Sequence, residues 1–451
     1  MTANPPAEII PNRLYWISDK TPPRNQANSY YFCIDNELVY QPFCSDFGPL
    51  NISMTYKFCI ELEKLIKNQT YSSYKIYHYT TLNPQKRSNA AYLMGAFQIL
   101  VLNRSAQESW NPFIPLPAFL DFRDAGYGGC TYRCTILHCL KGLEKAIQLG
   151  WFDYKKFNVH EYEFYEKVEN GDWNWIIPNK MLAFASPSPA SSDNDGFKVW
   201  TPEDYAPLFK SLGLSAVVRL NNKTYEAERF IQKGIKHYDL YFLDGSVPSD
   251  SIIKEFLRIA ETESGGLAVH CKAGLGRTGT LIGIYAIKHF DFPAADFIGW
   301  IRLCRPGSVL GPQQQFLVEI ESEVRKWGQE YRALKNDLKI ISPDKREENK
   351  TAGMRKIDNK LEMSPAEHFV SIHGDYGQAE RLVSAKKSNQ SSPNSPALPI
   401  KTPASGRAQS HTPNSPVKNK PQSSNIFVKS AVRNITPGSM RSYNRKSPSF
   451  K

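Results

Sequence analysis

Two α/β domains in tandem, joined by a linker helix and followed by a basic tail, are the architecture this sequence predicts. Three observations predict it. Strand-like apolar runs alternate with helix-period stretches from residue 12 to residue 327. An aromatic and acidic segment, KFNVHEYEFYEKVENGD at 156–172, interrupts that alternation near its middle. From Arg381 to Lys451 there are 15 Ser, nine Pro and only three aromatics, too little apolar surface to fold alone.

The first domain is expected at 10–155. Its strand candidates are Leu14–Ile17, Tyr30–Ile34 and Tyr74–Tyr79, set between helix-period stretches near 55–67, 88–103 and 131–149. Residues 156–172 read as an acidic linker helix. The second domain, 173–328, has strand candidates at Met181–Phe184, Ala216–Leu220, Tyr238–Leu243 and Leu267–His270. The helical stretches TGTLIGIYAIKHF and QQFLVEIESEVRKW follow them. Residues 329–451 read as a largely disordered tail. No internal sequence repeat is visible, so a shared fold for the two halves does not follow from the residues.

Charge excludes several classes. The 451 residues include 56 Lys and Arg against 44 Asp and Glu, a formal +12. Thirteen of those bases, and no acid, lie after Glu380, so the first 380 residues carry a formal charge near −1. A nearly neutral body argues against nucleic-acid binding by the folded part, which needs basic side chains grouped on a structured surface. The longest apolar run, Ala90 to Leu102, falls short of the about 20 residues a bilayer demands. MTANPPAEII lacks the basic start and apolar stretch of a secretory signal. Neither membrane insertion nor secretion is expected. Eight scattered Cys outline no disulfide framework and point to reduced thiols in an intracellular protein.

The informative stretch is Val269-His270-Cys271-Lys272-Ala273-Gly274-Leu275-Gly276-Arg277-Thr278-Gly279-Thr280. An apolar strand ends in Cys271, five loop residues follow, and Arg277 opens a helix. Such a loop aims successive backbone N–H groups at one point, and the helix N-terminus adds partial positive charge. Glycines at 274, 276 and 279 let the backbone curl tightly round an anion. Helix N-termini and nearby cations favour a thiolate, and Arg277 offers a planar fork for two phosphoryl oxygens. The hydroxyl of Thr278 can donate to the sulfur. A nucleotide-binding loop would need Lys before Ser or Thr, which this stretch lacks. A buried structural Cys beside a Gly-rich turn is the simpler alternative, and the agreement of strand, His270, glycines, Thr278 and helix weighs against it.

A phosphatase of this design needs an acid for the leaving oxygen and no metal or other cofactor. The candidate is Asp244, at the end of the apolar run Tyr241-Phe242-Leu243 and before Gly245-Ser246-Val247-Pro248. Asp239 and Asp250 lie nearby and stay open on spacing alone.

These residues carry a family resemblance. VVRLNNKTYEAERF, HYDLYFLDGSVPSD, AVHCKAGLGRTGTL and WIRLCRPGSVLGPQQQFL, with LDFRDAGYGG and EYEFYEKVENGDWNWIIP in the first half, resemble the mitotic-exit dual-specificity phosphatases, the cell-division-cycle-fourteen family. The likeness covers roughly residues 10–330. It implies two dual-specificity-phosphatase-like domains packed side by side, of which only the second is catalytic. It also implies Cys271 as nucleophile, Arg277 as phosphate clamp, Asp244 as general acid and Gln314 as the water-positioning glutamine, with Gln313 the fallback. The phosphate-binding loop is then Lys272, Ala273, Gly274, Leu275, Gly276 and Arg277. The implied substrates are phosphoproteins with Ser-Pro-x-Lys/Arg sites made by cyclin-dependent kinases, together with phosphotyrosine. Glu163, Glu166 and Asp172 match the acidic groove that reads the basic residue; a cluster of carboxylates suits that task, and equally suits a solvated linker. The implied setting is cell-cycle control and mitotic exit, in nucleus and cytoplasm, with nucleolar, spindle or centrosome-like locations.

Other signals are weaker. Cys130, Cys134, His138 and Cys139 invite a metal reading, but without a second cluster small thiols on a half-buried helix explain them more simply, and no metal site is expected. Nine Ser/Thr-Pro pairs, at Ser342, Ser364, Ser392, Ser395, Thr402, Thr412, Ser415, Thr436 and Ser447, suggest proline-directed kinases acting on the tail, which the chain's own site could then bind. Two alternatives remain open: a scaffold that only binds phosphorylated motifs, and a phosphoinositide phosphatase, which would want more basic residues in the loop than Lys272 alone.

Overall fold

The computed structural model describes residues 5–340, apart from 25, 131 and 195, and residues 377–391. The N-terminal domain contains β1 (Ala7–Ile10), β2 (Leu14–Asp19), β3 (Ser29–Phe32), α1 (Ile52–Lys67), β4 (Lys75–Thr81), α2 (Pro84–Leu100), α3 (Ala106–Trp110) and α4 (Ile136–Gln148). The helix α5 (Val159–Tyr165) leads into a second domain of β5 (Trp173–Ile177), β6 (Met181–Phe184), α6 (Pro202–Ser211), β7 (Leu214–Arg219), α7 (Glu228–Ile231), β8 (Lys236–Asp239), α8 (Asp250–Thr262), β9 (Gly266–His270), α9 (Gly276–Phe290), α10 (Ala294–Cys304) and α11 (Pro312–Ile340). A further helix, α12, spans Gln378–Ser391.

The two sheets share a plan. The first runs β1-β2-β4-β3 and the second β5-β6-β9-β7-β8. In each, an antiparallel pair leads and the remaining pairings are parallel. The central strand β9 (GLAVH) is buried along its whole length, as a strand covered on both faces must be. The first sheet thus repeats the second without its last edge strand. This is the shared fold that the residues alone could not establish.

The domains meet where α4 crosses α10. Side chains would hold the two backbones apart; a Cβ on Gly142 would stand 2.3 Å from the carbonyl of Asp296, and one on Gly299 2.8 Å from Cα of Cys139. Glycine at both positions lets the helices touch. Trp151, on the segment after α4, stacks on Phe292 and lies edge-on to Phe290.

Several expectations shift. β1 and β5 went unpredicted. The run Tyr238–Leu243 leaves the sheet after Asp239, so its last residues form the loop that carries Asp244. The linker helix is only seven residues, α5, followed by a short turn at Val168–Asn170. The tail expectation needs correcting in two places: α11 runs on to Ile340, and α12 is an ordered helix within 329–451. The nine Ser/Thr-Pro pairs lie outside the described residues.

Candidate active site

The Cys271 loop is fixed from below by buried polar groups. His270 is fully buried, and burial holds its imidazole well below the ordinary range, so it is neutral. Its Nδ1 lies 3.0 Å from the carbonyl of Cys271, which can only accept, so Nδ1 carries the proton. Nε2 is left to accept from the hydroxyl of Tyr225 at 2.7 Å, and that oxygen in turn meets His237 Nε2 at 2.9 Å. Arg305, also fully buried, donates to the carbonyls of Gly274 and Ala273 at 2.8 and 3.0 Å. These bonds hold two carbonyls of a loop whose successive N–H groups are suited to an anion. Gly274 has φ +67°, and a Cβ there would stand 2.0 Å from the carbonyl oxygen of Phe184. No other residue fits.

Arg277 opens α9 with no exposed surface and donates to the carbonyl of Phe242 at 2.9 Å. Its Nη2 lies 3.3 Å from Oδ1 of Asp244. Asp244 thus faces Cys271 across the clamp, and both line one small cavity. Asp239 instead forms a two-pronged pair with Arg219 at 2.6 and 2.9 Å, and Asp250 is exposed at the start of α8. Of the three candidate acids, Asp244 is the one at the loop. Thr278 is buried, and its hydroxyl has no hydrogen-bond partner among the described residues. Thiol, guanidinium and carboxyl around an N–H cradle can bind a phosphoryl group, attack it and protonate what leaves.

Sequence comparisons agree with this geometry. A family model described as the N-terminal half of dual specificity protein phosphatases matches residues 8–146, and one described as a DSP-PTPase phosphatase of polymorphic toxin systems matches 196–291. The human dual specificity protein phosphatase CDC14C is 45% identical over 316 residues, which cover 68% of this chain and 69% of that one. The chain belongs to the CDC14 family. Human CDC14A is 50% identical over 332 residues, 73% of this chain, and the fission-yeast CDC14 homologue is 40% identical over 327 residues, 69% of this chain. The chain spans about half the length of the CDC14A relatives it matches, 56% of the human and 54% of the zebrafish protein.

The first domain of this CDC14 chain keeps a relic of the loop. Thr81 ends β4 where Cys271 follows β9, and Arg87 and Ser88 come six and seven residues later, the spacing of Cys271, Arg277 and Thr278. The chemistry has gone. Arg87 donates to Ser18 and to the carbonyls of Pro117 and Ala118, and stacks on Phe119. The carboxylate of Asp35 takes the hydroxyls of Thr80 and Thr81 and the N–H of Thr81.

The side chain of Gln314 is buried, accepting from Arg302 at 2.7 Å and donating to the carbonyl of Gly311. Gln313 lines the cavity instead, donating to the carbonyl of Ser246 at 2.9 Å. One residue along a helix turns a side chain by about 100°, which gives the two glutamines different surroundings.

The three groove carboxylates separate. Asp172 is buried, 2.8 Å from Arg305, and also pairs with Lys386 of α12. Burial pushes its carboxyl up, and the two cations outweigh that and hold it below the ordinary range. Glu166 is pushed up to about 7 by burial, with Lys386 drawing it down and Glu163 pushing it up. Glu163 is turned to the first domain, paired with Lys57 and accepting from Ser53. Of the three carboxylates, Asp172 and Glu166 are the two that Lys386 acts on.

Sequence reasoning missed Arg305 and Tyr225, both inside quoted blocks but far from Cys271 along the chain. It also missed α12. This helix lies across the site: Gln378 lines the cavity beside Cys271, Ala379 N–H donates to Asp244 Oδ2 at 2.8 Å, and Leu382 is buried against Ala273, Leu275 and Leu310. Glu380 pairs with Lys272 at 3.2 Å, and Lys387 with Asp193. Positions 379, 382, 386 and 390 fall on one helical face, a pattern visible in the sequence but diluted by the tail around it. In the first domain the sulfurs of Cys134 and Cys139 lie 3.8 Å apart in the core, and His138 Nδ1 accepts from the backbone of Thr135.

Proposed function

We propose that this chain is a cysteine-dependent protein phosphatase acting on phosphoserine or phosphothreonine followed by proline and, three positions on, by Lys or Arg, and on phosphotyrosine. The observation that carries the substrate reading is α12 itself. Its Ala379 meets the acid and its Lys386 meets Asp172, seven helical residues apart, about 10.5 Å at 1.5 Å per residue. An extended peptide covers about the same length in three residues. A phosphoserine in the loop would therefore bring its third following residue to Asp172 and Glu166, with the intervening proline near the apolar patch that Leu382 covers.

In this scheme the Cys271 thiolate attacks phosphorus in line while the loop amides and Arg277 hold the equatorial oxygens. The bond to the serine oxygen breaks and Asp244 protonates it. Water then attacks the phosphocysteine, Asp244 takes its proton, and phosphate and thiolate are released. The helix α12 occupies the path of the substrate and has to leave before a phosphopeptide binds. Sites of this class are those that cyclin-dependent kinases make, which fits a role opposing those kinases in the cell cycle. Proline-directed kinases are proposed partners of the tail. The scheme is tested by acid-quenching turnover of a radiolabelled phosphopeptide. Label on Cys271 that is absent from Cys271→Ser is expected; label on another residue, or turnover by Cys271→Ser, overturns it. A scaffold would bind the peptide without releasing phosphate.

A further inference from the structure

We propose that Asp124 of the N-terminal domain is a positioning residue for Asp244, so that the domain without the Cys271 loop takes part in the acid step of the other. The inference rests on the phosphatase reading above. Asp124 is 4% exposed and follows an isolated bridge between Phe122 and Cys134. Its loop is stapled by Arg123, whose Nη2 donates to the carbonyls of Gly126 and Gly128, both at 2.9 Å. From this rigid base Oδ2 of Asp124 accepts the N–H of Gly126 at 3.2 Å and, across the domain junction, the N–H of Gly311 at 2.8 Å.

Gly311 begins the turn into α11, and the bond fixes that turn. Two residues on, Gln313 accepts from the N–H of Leu310 and donates to the carbonyl of Ser246. Ser246 closes the turn that carries Asp244, its N–H and hydroxyl both donating to the carbonyl of Leu243. A hydrogen-bonded path therefore runs from Asp124 through the Gly311 turn and Gln313 to the acid loop. A carboxylate is a strong acceptor for such N–H groups, and the crossing of α4 and α10 holds the domains together without it. Loss of Asp124 should loosen the acid loop and leave the fold intact.

The test uses the full chain and two substrates of unlike leaving group. A serine alkoxide needs a proton to leave; the phenolate of p-nitrophenyl phosphate hardly does. Asp124→Ala is expected to lower kcat/KM for the phosphoserine peptide by about tenfold, the order of effect of a small misplacement, and for p-nitrophenyl phosphate by less than about twofold. Asp124→Asn, which keeps an acceptor oxygen, should recover most of the loss. A change in fold would lower both substrates alike, and equal losses, or none, overturn the proposal. Asp244→Ala runs alongside. If it too fails to separate the substrates, the acid assignment falls and the proposal with it; if it separates them while Asp124→Ala does not, only the coupling between domains falls.

Discussion

Oδ2 of Asp244 accepts the backbone N–H of Ala379 at 2.8 Å. Asp244 is thus bound by a residue 135 positions later in the same chain, on a helix whose Lys386 pairs with Asp172, the carboxylate proposed to take a substrate lysine. Self-occupancy of this kind has measurable consequences.

The helix and a phosphopeptide compete for the same surface. Lys386→Ala should weaken the helix, since Asp172 keeps Arg305 and no charge is left bare, and the KM for a pSer-Pro-x-Lys peptide should fall about tenfold, equivalent to about 1.4 kcal/mol. Leu382→Asp should act in the same direction, because burying that leucine is worth roughly 2 kcal/mol. Steady-state kinetics on both variants decide it; an unchanged or higher KM contradicts the competition.

Recognition of the basic residue should depend on pH. Glu166, raised to about 7 mainly by burial, is protonated below that value, so the groove gains negative charge as pH rises through about 7. The ratio of kcat/KM for a Lys peptide to that for its Ala counterpart should therefore rise between pH 6 and 8. Ionisation of the phosphate itself, near pH 6, is common to both peptides and cancels. Glu166→Gln should flatten the profile, and a flat ratio in the unmodified chain would count against the groove.

Asp172 ties recognition to the loop. It stands 2.8 Å from Arg305, which holds the carbonyls of Gly274 and Ala273. Asp172→Asn leaves a buried guanidinium without its counter-ion, a loss of about 3 kcal/mol. Both a lower melting temperature and a lower kcat are expected, together with loss of the Lys preference. A change in preference alone, with stability and kcat intact, would show that Arg305 does not depend on Asp172.

What could be read in the sequence was the chemistry that is local. Cys271 directly follows β9 while Arg277 and Thr278 stand in the first turn of α9, and their close spacing sets their geometry. Asp244 stands at the end of a short apolar run, but Asp239 and Asp250 stay open until the family resemblance singles it out. Long-range partners were hidden: Arg305 reaches Gly274 across 31 positions and Asn174 across 131, and nothing local marks such a pairing. The choice between Gln313 and Gln314 depends on the rotational phase of α11, which the Gly311 turn and Asp124 determine from another domain. The helix α12 was lost to averaging, because fourteen residues with a helical stripe sit in a segment whose overall composition is that of a disordered chain. The likeness of the two halves, implied by the family resemblance, is visible in the order of strands and not in the residues, since Thr81 and Arg87 keep a spacing whose chemistry differs.

The most direct test of the account is phosphate release by the full chain from three matched peptides, pSer-Pro-x-Lys, pSer-Pro-x-Ala and a phosphotyrosine peptide, with Cys271→Ser as control. The account predicts release from all three that is lost in Cys271→Ser, with kcat/KM for the lysine peptide about tenfold or more above that for the alanine peptide, as a partly buried charge pair supplies. Equal rates on the lysine and alanine peptides would contradict the groove of Asp172 and Glu166, and binding without phosphate release would contradict the enzyme.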